Sequence, residues 1–200
     1  MKGSIIIVLF FILGVACGHK QWIPFTFTES EISFYILCAL MFLVGISVGN
    51  DSKTIQGFKK INYRLLFLPA ATIIGTLLGC FFVSFFISNR TTAECMAVGS
   101  GFGYYSLSSI FITEYKGAEL GTIALISNII REIIALLFAP LFAKYFGKLS
   151  PIAVGGATTM DTTLPIITRY SGKEYVIVSI YHGFLVDLSV PFLVTLFCLL

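Results

Sequence analysis

Charged residues are scarce in this sequence. Only 12% of its 200 residues are Asp, Glu, Lys or Arg, whereas 57% are hydrophobic. A soluble domain carries roughly twice that charged fraction, so folding in water would leave a large apolar surface exposed. The composition therefore excludes a soluble globular protein and predicts an all-α polytopic membrane protein that crosses the lipid bilayer several times.

Other absences exclude whole classes of function. The net charge of +3 is scattered along the chain and gives no basic stripe for nucleic acid. The five cysteines show no CxxC or Cys/His spacing, so we predict no metal site and no cofactor. An intramembrane hydrolase that uses His182, Asp161 and Asp187 is conceivable. No GxSG-like nucleophile or His-rich box supports it, and we predict that the chain is not an enzyme.

Long hydrophobic runs, in contrast, are abundant. We predict three N-terminal transmembrane helices within residues 1–92, with a basic loop at 50–64 that the positive-inside rule assigns to the cytoplasm. The first run is short for a span, so a cleaved signal sequence is an alternative. A transport core follows at 93–200. The predicted spans are 4–17, 33–49, 65–87, 119–142 and 175–200.

The core repeats itself at an offset of 55 residues. The segment TEYKGAE at 113–119 returns as TRYSGKE at 168–174, and the same offset pairs Ser106 with Asp161. Repeat A then covers 93–145 and repeat B covers 148–200. Two such copies in a very apolar chain are typical of transporters that are built from internal repeats.

Each repeat begins with an apolar stretch that is poorly suited to an uninterrupted helix. The stretch 95–112 is rich in glycine and serine, and 152–167 contains Asp161 and Pro165. Either stretch is a full span or a re-entrant hairpin. Lys144 and Lys148 favour a hairpin at 95–112, and Arg169 and Lys173 favour one at 152–167, because only then do these basic residues lie in the cytoplasm. Each repeat would comprise one re-entrant hairpin and one transmembrane helix, and the two repeats would be inverted.

Polar residues inside the apolar segments are the candidate site. An acid at the bilayer centre costs about 3 kcal/mol or more, so it usually faces a cavity or a partner. Helix capping is the alternative for Asp161, and an ion pair with Arg131 is the alternative for Glu132. The predicted substrate- and proton-binding residues are Glu132, Asp161, Asn128, Ser106, Thr158, Thr159, Thr162, Asp187 and His182.

Three motifs carry a resemblance to a known family. GYYSLS at 103–108, SNIIRE at 127–132 and GGATTMDTTLPII at 155–167 resemble the LysO family of bacterial lysine exporters. The resemblance implies a multi-pass inner-membrane exporter of L-lysine and cationic analogues, with proton exchange and with intramembrane acids at Glu132 and Asp161.

The resemblance also implies a longer chain with additional N-terminal spans. A small separate membrane protein or a homodimer would then complete the fold. Two further interpretations stay open from the residues themselves. The same architecture suits transport of another ion or a carboxylate, and a chain of this length suits a subunit of a larger membrane assembly.

Overall fold

The computed structural model describes residues 63–200 continuously. In the preceding part of the chain it describes only Leu13, Ala16, Cys17, Lys20, Phe42 and Ile46. The chain divides into two compact units, Met1–Asn50 and Asp51–Leu200, and the helices described below belong to the second. Apart from these few positions, the predicted spans at 4–17 and 33–49 and the basic loop lie outside the described residues.

Between residues 63 and 200 the structure contains helices and no strand. The α-helices are α1 (Leu68–Ser84), α2 (Thr92–Gly99), α3 (Tyr105–Lys116), α4 (Ala118–Tyr145), α5 (Ser150–Gly155), α6 (Leu164–Tyr170) and α7 (Val176–Leu199). Three short 3-10 helices accompany them: Tyr63–Phe67 before α1, Gly156–Met160 between α5 and α6, and Lys173–Tyr175 before α7.

Three of these helical segments are long and apolar enough to cross a bilayer. They are Leu65–Ser84, Ala118–Tyr145 and Lys173–Leu199, and they overlap the last three predicted spans. With the helical character of the whole described range, they confirm the predicted all-α polytopic membrane protein. The remaining helices are too short to span the roughly 30 Å hydrocarbon core by themselves.

Two helix boundaries share the 55-residue offset of the sequence match. The second and third spanning segments begin at Ala118 and Lys173, which are the same 55 residues apart. Each follows a glycine with positive φ, +91° at Gly117 and +117° at Gly172. Only glycine adopts such angles without strain. The sequence match between 113–119 and 168–174 therefore reflects the same turn from a short helix into a long one.

In repeat A, α2 and α3 share one end of α4. Gly117 turns the chain so that α3 packs back along α4, where Gly121 lies against Thr113. Arg90, just before α2, forms an ion pair with Glu119 in the first turn of α4. The start of α2 and the end of α3 therefore both lie beside the start of α4.

The chain bends between α2 and α3 next to the middle of α4. Asn128 holds this first interruption, residues 100–104: its Oδ1 accepts from the Gly103 N–H at 2.8 Å, and its Nδ2 donates to the Val98 carbonyl at 3.2 Å. Phe102 is fully buried at the bend and has a φ of +46°, although it is not a glycine. Backbone strain of this kind persists only where surrounding contacts impose it.

In repeat B, the ends of α5 and α6 also come together. Lys148, just before α5, donates from Nζ to the carbonyl of Tyr170, the last residue of α6, at 2.7 Å. At the far end of α5, Arg131 of α4 donates from Nε to the Val154 carbonyl at 2.9 Å and from Nη2 to the Ala153 carbonyl at 3.3 Å. The second interruption, residues 156–163, therefore reaches the middle of α4 as well.

The two interruptions touch each other. The N–H of Ala157 donates to the Phe102 carbonyl at 3.0 Å. Gly156 approaches the same carbonyl so closely that a side chain would collide with it, and it has a φ of +63°. A Cβ on Gly103 would lie 3.3 Å from the Gly155 carbonyl oxygen. Glycine is therefore needed at this crossing for space as well as for backbone angle.

Candidate functional site

The site beside this crossing contains two aspartates, Asp161 and Asp187. Asp187 of α7 is 2% exposed, and its Oδ1 has no hydrogen-bond partner among the described residues. The carboxylates of Asp161 and Asp187 interact electrostatically, and both act on the hydroxyl of Tyr104 at the start of α3. We call Asp161 and Asp187 the acid pair. Both acids belong to repeat B, whereas Tyr104, which they influence, belongs to repeat A.

Asp161 is the exposed member of the acid pair within the described part of the chain. Its Oδ1 accepts from the Thr162 N–H at 2.5 Å and lies 3.4 Å from the Thr162 hydroxyl. The N-cap of α6 is Thr163, which makes no side-chain capping bond. Capping of α6 therefore does not explain Asp161, whose side chain is exposed.

Thr159 and His182 form a buried network around the second interruption. The Thr159 hydroxyl lies 2.8 Å from the Gly156 carbonyl, 2.9 Å from the Ser179 carbonyl and 3.2 Å from Nδ1 of His182. Nε2 of His182 lies 2.9 Å from the Thr72 hydroxyl of α1. His182 thus links α1, the second interruption and α7. A role for it in proton transfer stays a prediction.

The other predicted hydroxyl groups fall into two environments. Thr158 is buried and donates to the Gly155 carbonyl at 2.9 Å, which stabilises the 3-10 turn. Thr162 and Ser106 are exposed, and the hydroxyl of Ser106 makes no hydrogen bond with a described residue. Thr162 therefore accompanies the carboxylate of Asp161, whereas Thr158 holds the backbone that positions it.

Glu132 stands apart from the acid pair in the described contacts. It is half-buried on α4, and its side chain makes no hydrogen bond or ion pair with a described residue. The alternative of an ion pair with Arg131 is not found within residues 63–200. The guanidinium of Arg131 instead contacts α5 and lies 5.7 Å from the centroid of the Phe102 ring.

Residues 63–200 hold no cluster of three His, Cys, Asp or Glu residues that could bind a metal ion.

Comparison with known proteins identifies the family. The family model described as the lysine exporter LysO matches residues 8–198. That match covers nearly the whole sequence. The chain belongs to the LysO family. With its three candidate spans, this membership identifies a protein of the bacterial inner membrane.

Two members of the LysO family illustrate the range of lengths. The lysine exporter LysO of Escherichia coli is 33% identical over 186 residues, which are 93% of this chain and 61% of that protein. A putative lysine exporter of Haemophilus influenzae is 33% identical over 191 residues, 96% of this chain and 94% of that protein. This chain thus spans about three fifths of the first relative. No solved structure matches it.

Several residues of this LysO-family site were not among the predicted ones. Arg131 carried a recognisable signal, because an arginine in the middle of an apolar span is rare and usually functional. Tyr104 lies in the GYYSLS motif, but nothing in the sequence indicates that it approaches two aspartates of the other repeat. Phe102 gave no signal of its strained backbone, apart from its position between two glycines.

Proposed function

We propose that this chain exports L-lysine and similar cationic amino acids in exchange for protons. The names of both relatives include lysine export, and an ammonium group suits the acid pair. The observation that carries the proposal is Asp187, a carboxylate that is 2% exposed, has an oxygen without a described partner and lies near a second carboxylate. Such a pair needs a proton or a bound cation to offset its charge.

Exchange with protons follows from that need. Lysine that binds from the cytoplasm displaces a proton from the acid pair. After the site has opened to the outside, a proton from the more acidic side displaces the lysine. Proton entry thereby drives lysine out of the cell.

We also propose that both interrupted segments are re-entrant hairpins that enter from opposite sides of the membrane. The ion pair of Arg90 with Glu119 supports a common end for α2 and α3 at the start of α4. The bond from Lys148 to Tyr170 supports a common end for α5 and α6 beyond the other end of α4. Inverted hairpins of this kind suit alternating access to one central site.

Partners belong to the same proposal. We propose that this chain works either with a second copy of itself or with a small separate membrane protein. Cross-linking in native membranes, followed by measurement of the mass of the product, distinguishes these two cases. A cross-linked homodimer favours the first, and a heteromeric product favours the second.

Lysine uptake into inverted membrane vesicles tests the proposed function. With an interior that is acidic, vesicles that contain the protein should accumulate labelled lysine, and Asp187→Asn should reduce uptake to the level of vesicles without the protein. Glu174→Gln is the matched control, since it removes an exposed acid from the turn before α7. Uptake that is absent from the wild type, or unchanged by Asp187→Asn, contradicts the proposal. Uptake of another ion or a carboxylate in its place would identify the alternative substrate class.

A further inference from the structure

A cavity separate from the acid pair lies between α1, α2 and α4. Its volume is about 750 Å³, within the range of small-molecule sites. Apolar side chains form most of its wall, among them Val83, Val98 and Ile123. Neither Asp161 nor Asp187 lines it. The ion pair of Arg90 with Glu119 lies at the end where α2 and α4 begin, so the cavity leads from that end towards the middle of α4.

Arg131 lies at the inner end of this cavity and carries a charge that no described carboxylate neutralises. Its bonds go to the carbonyls of Val154 and Ala153 and, from Nη1 at 3.4 Å, to the Thr76 hydroxyl. These bonds use one N–H on each of its three nitrogens, and a guanidinium has five. One N–H on each terminal nitrogen is therefore left for a ligand. Together they match the two oxygens of a carboxylate.

We propose that Arg131 binds the carboxylate of an aliphatic amino acid that enters this cavity. The inference rests on the proposed function and assigns Arg131 to the carboxylate end of the exported substrate. The apolar wall accommodates the aliphatic chain.

The glycines of α1 provide a matched pair of variants. Gly79 lines the cavity, whereas Gly75, one turn earlier, lines a second groove of about 450 Å³ that Thr76 and Arg131 also line. A Cβ at either position meets no atom within 4 Å. Gly79→Leu should therefore fill the cavity without disturbing the bonds of Arg131. Gly75→Leu adds the same side chain to the same helix and leaves the cavity open.

Cys95 offers a native reporter of occupancy, because it lines the cavity and is partly accessible. The test uses the full chain in right-side-out vesicles, with the other cysteines replaced by alanine, and measures the rate at which N-ethylmaleimide alkylates Cys95. Lysine and norleucine both have the carboxylate and should slow the reaction. Cadaverine has two amines and no carboxylate, and it should not.

Variants separate carboxylate binding by Arg131 from a purely structural role of this residue. Arg131→Gln should weaken protection by norleucine roughly tenfold or more, as expected for the loss of a charge-assisted hydrogen bond. Arg131→Lys retains the charge without the fork and should weaken it less. Gly79→Leu should abolish protection, and Gly75→Leu should leave it unchanged.

Equal protection by cadaverine, full protection in Arg131→Gln, or loss of protection in Gly75→Leu as large as in Gly79→Leu overturns the proposal. Its failure is distinguishable from failure of the export function. If norleucine protects Cys95 but vesicles accumulate no lysine, the carboxylate site stands and the export function falls. If lysine is transported without any protection by norleucine, the reverse holds.

Discussion

Each of the two interruptions separates two short helices, and their chemistry differs. The first is held by the amide of Asn128, and the guanidinium of Arg131 lies beside it. The second is held by hydroxyl groups and by His182, and it carries the acid pair. At the offset of 55 residues, the positions of Asn128 and Arg131 are occupied by Gly183 and Val186.

This difference suits an asymmetric ligand. The two interruptions touch through Ala157 and Phe102. Amide and guanidinium groups lie at the first interruption, and the acid pair lies at the second. An amino acid has a carboxylate at one end and, in lysine, an ammonium group at the other. The two repeats together offer a partner for each.

The largest effect is expected at the acid pair. Asp161→Asn keeps the shape of the side chain but removes the charge that pairs with an ammonium group, so export should fall to the background of cells without the protein. Cells should lose protection against the toxic lysine analogue thialysine, while immunoblots show normal membrane insertion. Retained protection would remove Asp161 from the site.

Glu132→Gln tests whether repeat A contributes an acid of its own. Glu132 corresponds to Asp187 at the repeat offset, and an acid at this depth is costly unless it functions. We predict that this variant also abolishes thialysine protection with normal insertion. The matched comparison is Asp187→Asn. If Glu132→Gln protects cells as well as the wild type, the carboxyl chemistry is confined to repeat B.

Asn128→Ala addresses the first interruption. It leaves the buried N–H of Gly103 without its partner, which should lower the free energy of unfolding by about 1–3 kcal/mol. Denaturant unfolding in detergent measures the change. Ser127→Ala is the control, because Ser127 is the exposed neighbour of Asn128 on α4 and its side chain makes no hydrogen bond with a described residue. An equal stability of the two variants would show that Asn128 does not hold the bend.

Thr72→Val should have the smallest effect. It removes a single hydrogen bond, 2.9 Å long, to Nε2 of His182 and keeps the volume of the side chain nearly constant. The free energy of unfolding should fall by about 1 kcal/mol, with lysine uptake retained. A complete loss of uptake in a stably inserted variant would instead assign His182 to the proton path.

The sequence predicted the features that depend on composition and on local backbone. Apolar runs gave the spanning helices because lipid requires about 20 such residues for each. The glycines at 117 and 172 gave the repeat because a positive φ constrains residue type wherever it occurs. These signals are local, so they can be read without knowing which segments meet.

Contacts across the crossing were not predictable in this way. Glu132 and Asp187 are equivalent in the repeat, yet only Asp187 lies near Asp161 in the described contacts. Arg131 was named in the sequence only as an alternative partner of Glu132, but its partners are carbonyls at the end of α5. Both outcomes depend on which chain segments cross at the centre, and no periodicity within one segment contains that information.

Accessibility of single cysteines tests most directly the central claim that two hairpins enter from opposite sides. In a cysteine-free background, a membrane-impermeant maleimide added outside intact cells should label Asn89→Cys and Lys116→Cys. It should not label Phe146→Cys and Lys173→Cys until the membrane is permeabilised. Each pair flanks one interrupted segment, so both members of a pair must behave alike. If Asn89→Cys and Lys116→Cys differ in labelling, or Phe146→Cys and Lys173→Cys differ, that segment crosses the membrane completely and the inverted hairpins are contradicted.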